Sequence, residues 1–159
     1  MPNDRLRDGR DRWGYFVRHN GTHDTGIAAI GNVGVGLNLN RVSDNDYWRD
    51  FTRRGLSLTT RLLANDGALT WSRGDFSASA RALKWQTLQD VNAPIVPPYD
   101  RMPQMQWRYT PSQLGGGLDA SVELDTTRFQ ANRALTGQPN AHRSYAMAQI
   151  SRPFLAPAG

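Results

Sequence analysis

The sequence predicts an all-β fold, a piece of about seven strands from an antiparallel up-and-down transmembrane β-barrel. Apolar residues recur at every second position, which is the period of a strand and not of a helix. They make up only 38% of the chain and never form a long block. A membrane-spanning helix needs a run of roughly 18 or more apolar residues, so a helical membrane protein is excluded. The connections between the predicted strands fall into a short and a long class, as in outer-membrane barrels.

The alternation is clearest at residues 32–40. One face of this predicted strand carries Val33, Val35, Leu37 and Leu39. The other face carries only glycine and asparagine, so one side suits lipid and the other suits water or small polar neighbours. The same pattern predicts strands at about 12–20, 27–41, 57–72, 76–88, 104–111, 117–130 and 143–153.

Two segments resemble tight hairpin turns, Asn65-Asp66-Gly67 and Arg73-Gly74-Asp75. If both were turns, only residues 68–72 would lie between them, whereas a tilted membrane-spanning strand needs about 9–11 residues. We therefore predict one long strand with a bulge or kink at 65–67 and a turn at 73–75. Long polar connections are predicted at 90–103 and 131–142, and at most a short helical element at 44–54.

Aromatic residues concentrate near the predicted strand ends. Girdles at the two membrane interfaces would produce this distribution, although strands favour aromatic residues in any case. The residues concerned are Trp13, Tyr15, Tyr47, Trp48, Trp85, Tyr99, Trp107, Tyr109 and Tyr145.

Charge and composition argue against several function classes. The net charge is +5, but the arginines are spread along the whole chain and no nucleic-acid motif accompanies them. The absence of cysteine excludes a disulfide and a thiolate metal site within this segment. His19, His23 and Asp24 lie in a polar segment without an obvious fourth metal ligand.

Catalysis finds no better support. Three carboxylates share one face of a predicted strand, and a wall facing water explains them as well as acid–base chemistry does. They are Asp119, Glu123 and Asp125. We therefore expect no enzyme, no catalytic residue, no cofactor, no metal site and no nucleic-acid partner.

One segment of the sequence consists of Val42-Ser43-Asp44, followed by an aromatic pair and an Asp-Phe step. This signature resembles that of the LptD family, also called organic solvent tolerance proteins. The segment around Trp85-Gln86 and the strand start at Pro103-Gln104 are also similar to the family, as are residues 2–5 and 9–13. The motif residues are Val42, Ser43, Asp44, Tyr47, Trp48, Asp50, Phe51, Trp85, Gln86, Pro103 and Gln104.

This resemblance implies that residues 1–159 are part of the family's C-terminal β-barrel domain, incomplete at both ends. It implies a segment of the translocon that inserts lipopolysaccharide into the outer leaflet of the outer membrane of a Gram-negative bacterium. The implied partners are lipopolysaccharide, the plug lipoprotein LptE, outer-membrane lipid, and the periplasmic Lpt bridge through a jellyroll domain outside this chain.

The residues alone leave two alternatives open, which are the wall of another outer-membrane barrel such as a porin and a soluble β-sandwich binding module. The role of the polar face is also open. Arg81 and Arg108 could contact the plug or the phosphates of lipopolysaccharide, or the face could simply be hydrated.

Overall fold

The computed structural model describes residues 12–27, 29–47, 61–112 and 114–152, which form one seven-stranded antiparallel sheet. The strands lie in sequence order and each pairs with the next, so the all-β, up-and-down prediction is confirmed. Every strand has 10 to 12 residues. They are β1 (Gly14–Asp24), β2 (Asn32–Val42), β3 (Leu62–Arg73), β4 (Phe76–Thr87), β5 (Asp100–Tyr109), β6 (Asp119–Gln130) and β7 (Ala141–Ser151).

Helical structure is minor in the described part of the chain. A short helix, α1 (Arg133–Thr136), interrupts the connection between β6 and β7. The turn at 45–46 leads into helical backbone at Tyr47, and the rest of the element predicted at 44–54 lies outside the described residues. Within the described ranges, no helix has the length and hydropathy needed to cross a bilayer.

The hairpin between β3 and β4 matches the prediction at 73–75. Arg73 pairs with Phe76, and Gly74 takes a positive φ of 53° that glycine adopts without steric cost. The prediction of one long strand across 65–67 is also confirmed. The predicted bulge or kink is wrong on the side of β4, with which β3 pairs from end to end without a register shift. On the side of β2, regular pairing ends at this point, at Asn38 and Asp66. Asp66 and Gly67 form consecutive pairs with Leu83 and Ala82 of β4, so Asn65-Asp66-Gly67 lies within a strand and does not form a turn.

The irregular strand is β5. Its pairing shifts by one residue against both neighbours between Arg101 and Gln104, so Met102 and Pro103 form the bulge. Proline has no N–H to donate to the ladder, which is why it occurs at bulges and strand edges. The strand was predicted from 104 onward, but it continues through the bulge back to Asp100.

Two other strand boundaries differ from the prediction. β1 runs on to Asp24 and is polar on both faces beyond Val17, so no hydrophobic alternation marked its second half. Ile27 and residues 29–31 lie in a turn and not at the start of β2, with backbone hydrogen bonds from Ile30 and Gly31 back to Ile27. Apolar isoleucines in a turn explain the early start that was predicted.

Pairing fixes which residues share a face, because directly opposed residues point to the same side of a sheet. What we call the apolar face includes Val17, Val33, Val35, Leu37, Leu39, Leu69, Trp71, Phe76, Ala78, Ala80, Ala82, Met105, Trp107, Tyr109, Val122, Leu124, Ala146, Ala148 and Ile150. The polar face includes Asn32, Gly34, Gly36, Asn38, Asp66, Thr70, Ser77, Ser79, Arg81, Gln104, Gln106, Arg108, Glu123, Asp125, Thr127 and Arg143. Tyr145 and Met147 also lie on the polar face.

The strand ends define two rims. The turn rim has the connections 25–31, 74–75 and 110–118, whereas the loop rim has 43–61, 88–99 and 131–140. Aromatic rings lie near both. Phe76 contacts Tyr109 and Trp107 at the turn rim, with ring centroids 4.5 and 5.8 Å apart. At the loop rim, Trp13 stacks on Tyr15 at 6.0 Å.

Candidate functional site at the loop rim and the polar face

The buried hydrophobic cluster of the described residues lies at the loop rim and not in the middle of the sheet. Val42, Leu63 and Leu88 are 3%, 4% and 1% exposed, and Tyr47 packs against them. The cluster joins the end of β2, the start of β3 and the residue after β4. The cluster therefore packs at the edge of the sheet where the connections 43–61 and 88–99 begin and end.

Side-chain amides replace the backbone ladder beside this cluster. Regular pairing of β2 with β3 ends at Asn38 and Asp66. Beyond it, the Val42 amide donates to Gln86 Oε1 at 3.1 Å, and Gln86 Nε2 donates to the Val42 carbonyl at 2.8 Å. Asn65 Oδ1 likewise accepts from the Asn40 amide at 3.0 Å. These bonds satisfy backbone groups that would otherwise lose their partners.

An ion pair fixes the segment before β1 to the segment after β2. The Arg12 guanidinium donates two hydrogen bonds to the Asp44 carboxylate, at 3.0 and 2.9 Å. Their side chains are only 5% and 15% exposed. Burial opposes ionisation of Asp44, but hydrogen bonds from Arg12, the Ser43 hydroxyl and the Asp46 amide outweigh it and hold the pKa of Asp44 below its ordinary value.

Three further contacts complete what we call the rim latch, defined as Arg12, Trp13, Ser43, Asp44 and Tyr47. The Trp13 amide donates to the Ser43 hydroxyl at 3.1 Å, and the Ser43 amide donates to the Trp13 carbonyl at 2.8 Å. The Arg12 guanidinium lies 5.8 Å from the centre of the Tyr47 ring. The latch therefore unites two sequence segments that were noted separately.

The motif residues predicted from the sequence do not all meet. Val42 and Gln86 bond to each other, and Ser43, Asp44 and Tyr47 belong to the latch. Trp85 is held apart, with its amide donating to the Asp100 carboxylate at 2.8 Å. Pro103 lies in the β5 bulge and Gln104 on the polar face. Trp48, Asp50 and Phe51 lie outside the described residues.

Sequence reasoning missed three important contributors. Leu63 and Leu88 carry no period-two signal that separates them from other leucines, and they are buried by packing with Val42, which is distant in sequence. Arg12 was noted only as part of a similar segment. Arg12 precedes β1 and Asp44 follows β2, and these two strands form one hairpin. That placement could have suggested an ion pair between them.

The polar face carries cross-strand ion pairs. Arg81 binds Asp66 through two hydrogen bonds, at 2.8 and 2.7 Å, and Arg108 binds Glu123 at 2.8 Å. Each pair joins adjacent strands. Both arginines that were considered as partner contacts are therefore already engaged within the sheet.

A denser polar network surrounds Asp125, which is 7% exposed. Its carboxylate accepts from Arg143 and Gln104, both at 3.3 Å, and from the Thr127 hydroxyl at 3.2 Å. Glu123 and Asp125 are thus each neutralised by an arginine of a neighbouring strand. In the ranges that the structure describes, no three His, Cys, Asp or Glu residues are grouped as metal ligands. This arrangement links β5, β6 and β7 across the polar face of the sheet.

Comparison with known proteins identifies the family. The family model described as "LptD: LPS transport system D" matches residues 10–159. Curated relatives named LPS-assembly protein LptD are 63% identical in Acidovorax sp. strain JS42 and 63% identical in Paracidovorax citrulli, each over 100% of this chain. One from Cupriavidus necator is 36% identical over 98% of the chain. The chain covers 20%, 19% and 18% of these relatives, respectively. The chain therefore belongs to the LptD family.

Proposed function

We propose that this chain is a wall segment of the C-terminal β-barrel domain of an outer-membrane translocon that inserts lipopolysaccharide into the outer leaflet. The relatives are named as LPS-assembly proteins. The observation that carries the proposal for this segment is the two-faced sheet, since one face is apolar and exposed while the other is polar and ion-paired.

The exposure of the apolar face favours a bilayer as its environment. Leu69, Met105 and Ile150 are 57%, 50% and 74% exposed. Soluble proteins rarely expose such a contiguous apolar surface. A β-sandwich would bury this face against a second sheet, but the seven strands described form one sheet. Lipid therefore accounts for the apolar face better than water does.

Strand length and aromatic placement agree with this environment. Strands of 10 to 12 residues match the roughly 9–11 residues that a tilted strand needs to cross a membrane. Outer-membrane barrels have girdles of aromatic residues at the two membrane interfaces. The aromatic clusters of this sheet lie near its two rims, as such girdles would. On the same principle, the longer connections of the loop rim belong on the extracellular side.

The polar face would line the lumen of the closed barrel. There it would contact the plug lipoprotein LptE and passing lipopolysaccharide, while a jellyroll domain elsewhere in the protein would receive lipopolysaccharide from the periplasmic Lpt bridge. Because Arg81 and Arg108 are already paired with carboxylates, the lumen wall presents balanced ion pairs and not a row of free cations. The segment acts as scaffold, and we propose no catalytic role for it.

A matched pair of substitutions in the full-length protein tests the proposal. Ala80 lies on the apolar face, and the neighbouring Ser79 lies on the polar face. An arginine facing lipid near the bilayer midplane costs about 2–4 kcal/mol. We expect Ala80→Arg to impair barrel assembly and lipopolysaccharide export in cells, and Ser79→Arg to be tolerated. Equal tolerance of both changes would contradict a lipid-facing apolar face.

A further inference from the structure

Two histidines of β1 converge over a glycine. His19 and His23 lie on the same side of the strand, opposite Leu37 and Val33 of β2, and both are exposed. Residues four positions apart in a strand have Cα atoms about 13 Å apart. A Cβ added to Gly21 would nevertheless lie 3.3 Å from Nε2 of His19 and 3.7 Å from Nε2 of His23. The two nitrogens are therefore at most 7.0 Å apart, which is the sum of these two distances.

Gly21 makes this convergence possible. Alternate residues of a strand point to the same side, so the side chain of residue 21 would stand between the two rings. The three atoms nearest to the position of an added Cβ all belong to the imidazoles of His19 and His23. The absence of a side chain at Gly21 thus leaves one space that both imidazoles share.

Neither imidazole is engaged elsewhere in the part of the chain that the structure describes. His19 and His23 have no hydrogen bond or ion pair to another described residue, and the residues opposite them on β2 are aliphatic. His142 of β7 differs, because its Nε2 lies 2.9 Å from the hydroxyl of Thr126. The ring nitrogens of the β1 pair are therefore available as metal ligands.

The histidine pair lies at one margin of the apolar face. Apolar side chains on this face of β1 are confined to the half near the loop rim, at Tyr15 and Val17. On β7 they continue to the turn rim, at Ala148 and Ile150. An apolar band that drifts along successive strands is expected where strands cross a bilayer at a tilt of about 35–45°. The pair therefore lies toward the turn-side edge of the band, within reach of water. This placement rests on the proposed function, whereas the convergence of the two rings does not.

We propose that His19 and His23 bind a divalent transition-metal ion of the zinc class. The neutral imidazole nitrogen is a common ligand of zinc, copper and nickel. A zinc ion at about 2.0–2.1 Å from each Nε2 requires these nitrogens to lie roughly 4 Å apart or closer. Rotation about the side-chain torsions brings them to that separation, because Gly21 puts no side chain between the rings.

Two protein ligands define an exchangeable site. A structural zinc centre takes four protein ligands, and in the described ranges no group of three His, Cys, Asp or Glu residues is placed to hold a metal. Water, or a donor approaching the edge of β1 that faces away from β2, completes the coordination. Spacing in the sequence argued against a metal site at these histidines because no fourth ligand was obvious. The convergence over Gly21 is the observation that reverses this expectation.

Zinc titration of the full-length protein, purified with an affinity tag that contains no histidine, tests the proposal. Isothermal titration calorimetry gives the dissociation constant of the site. Loss of a residue that merely supports a metal ligand weakens binding roughly 10–100-fold, so His19→Asn and His23→Asn should each weaken it by about tenfold or more. Gly21→Val keeps both imidazoles but separates them, and it should weaken zinc binding to a similar extent. Valine favours strands, so this change preserves the fold. His142→Asn is the matched control and should bind zinc like the wild type.

A second measurement uses the wild type alone and does not depend on the folding of a variant. Diethyl pyrocarbonate modifies free imidazoles, and mass spectrometry of the peptides identifies the modified residues. Zinc should protect His19 and His23 together and leave the reactivity of His142 unchanged. Protection of neither histidine or of only one would overturn the site, and so would unchanged zinc affinity in Gly21→Val. Tolerance of Ala80→Arg would instead count against the proposed function and leave the metal site standing.

Discussion

The two rims of the sheet are built by different means. At the turn rim, β3 and β4 are joined by the two residues Gly74 and Asp75, and aromatic rings such as Phe76 and Tyr109 pack beside this turn. At the loop rim, the stabilising bonds link residues far apart, such as Trp13 with Ser43 and Val42 with Gln86, which are 30 and 44 positions apart. The turn rim therefore combines a tight backbone turn with the packing of aromatic rings, whereas the loop rim depends on side-chain hydrogen bonds to the backbone and on the Arg12–Asp44 ion pair.

This difference predicts that single substitutions cost more at the loop rim. The largest effect is expected for Asp44→Ala, which removes the carboxylate that accepts two hydrogen bonds from the largely buried guanidinium of Arg12. Breaking one side of a buried pair costs about 3–5 kcal/mol. Urea unfolding of the refolded full-length protein would measure it. The control is Glu123→Ala, which frees the more exposed Arg108 and should cost about 0–1 kcal/mol. Equal losses of unfolding free energy would show that the Arg12–Asp44 pair stabilises the fold no more than an exposed ion pair does.

Gln86→Leu is expected to have the next largest effect. It removes the amide that holds both backbone groups of Val42, and leaving a buried polar group without a partner costs about 1–3 kcal/mol. The measurement is again the free energy of unfolding, with Gln149→Leu on the exposed β7 strand as the control. A loss no larger than that of the control would contradict the bridging role.

Two glycine substitutions compare the turn rim with the interior of a strand. Gly74 has a positive φ, so Gly74→Ala should destabilise the hairpin by about 1 kcal/mol. At Gly36 an added Cβ would meet only the Cβ of Ala68 at 3.8 Å, so Gly36→Ala should cost less or stabilise the strand. Unfolding measurements on both variants give the comparison. A larger loss at Gly36 would show that the turn contributes little.

The smallest effect concerns pH. Because the pKa of Asp44 is lowered in the folded state, its ionisation stabilises the fold above the ordinary value of 3.8. This contribution is lost as the pH falls through the lowered folded value. We expect the stability difference between the wild type and Asp44→Asn to shrink as the pH drops below about 4. A difference that grows on acidification would refute this sign.

The parts that could be predicted from sequence follow the same division. Period-two alternation found all seven strands, and turn chemistry placed the hairpin at Arg73 and Phe76, because both depend on neighbouring residues. The β5 bulge at Met102 and Pro103 was missed because the proline appeared to begin the strand. The polar second half of β1 was missed because no apolar alternation marks it.

The loop rim lay beyond such reasoning for a physical reason. The bond between Val42 and Gln86 arises only where β2 diverges from β3, and that divergence has no local signature. Family resemblance singled out both residues without indicating that they touch.

The central claim is that the apolar face meets lipid and the polar face meets water. Its most direct test is a nitroxide scan of residues 33–40 in the full-length protein reconstituted into vesicles. The account predicts alternating accessibility, with labels at Val35, Leu37 and Leu39 reached by oxygen and labels at Gly36, Asn38 and Asn40 reached by a water-soluble nickel complex. Uniform accessibility, or nickel access at Leu37 equal to that at Asn38, would contradict it.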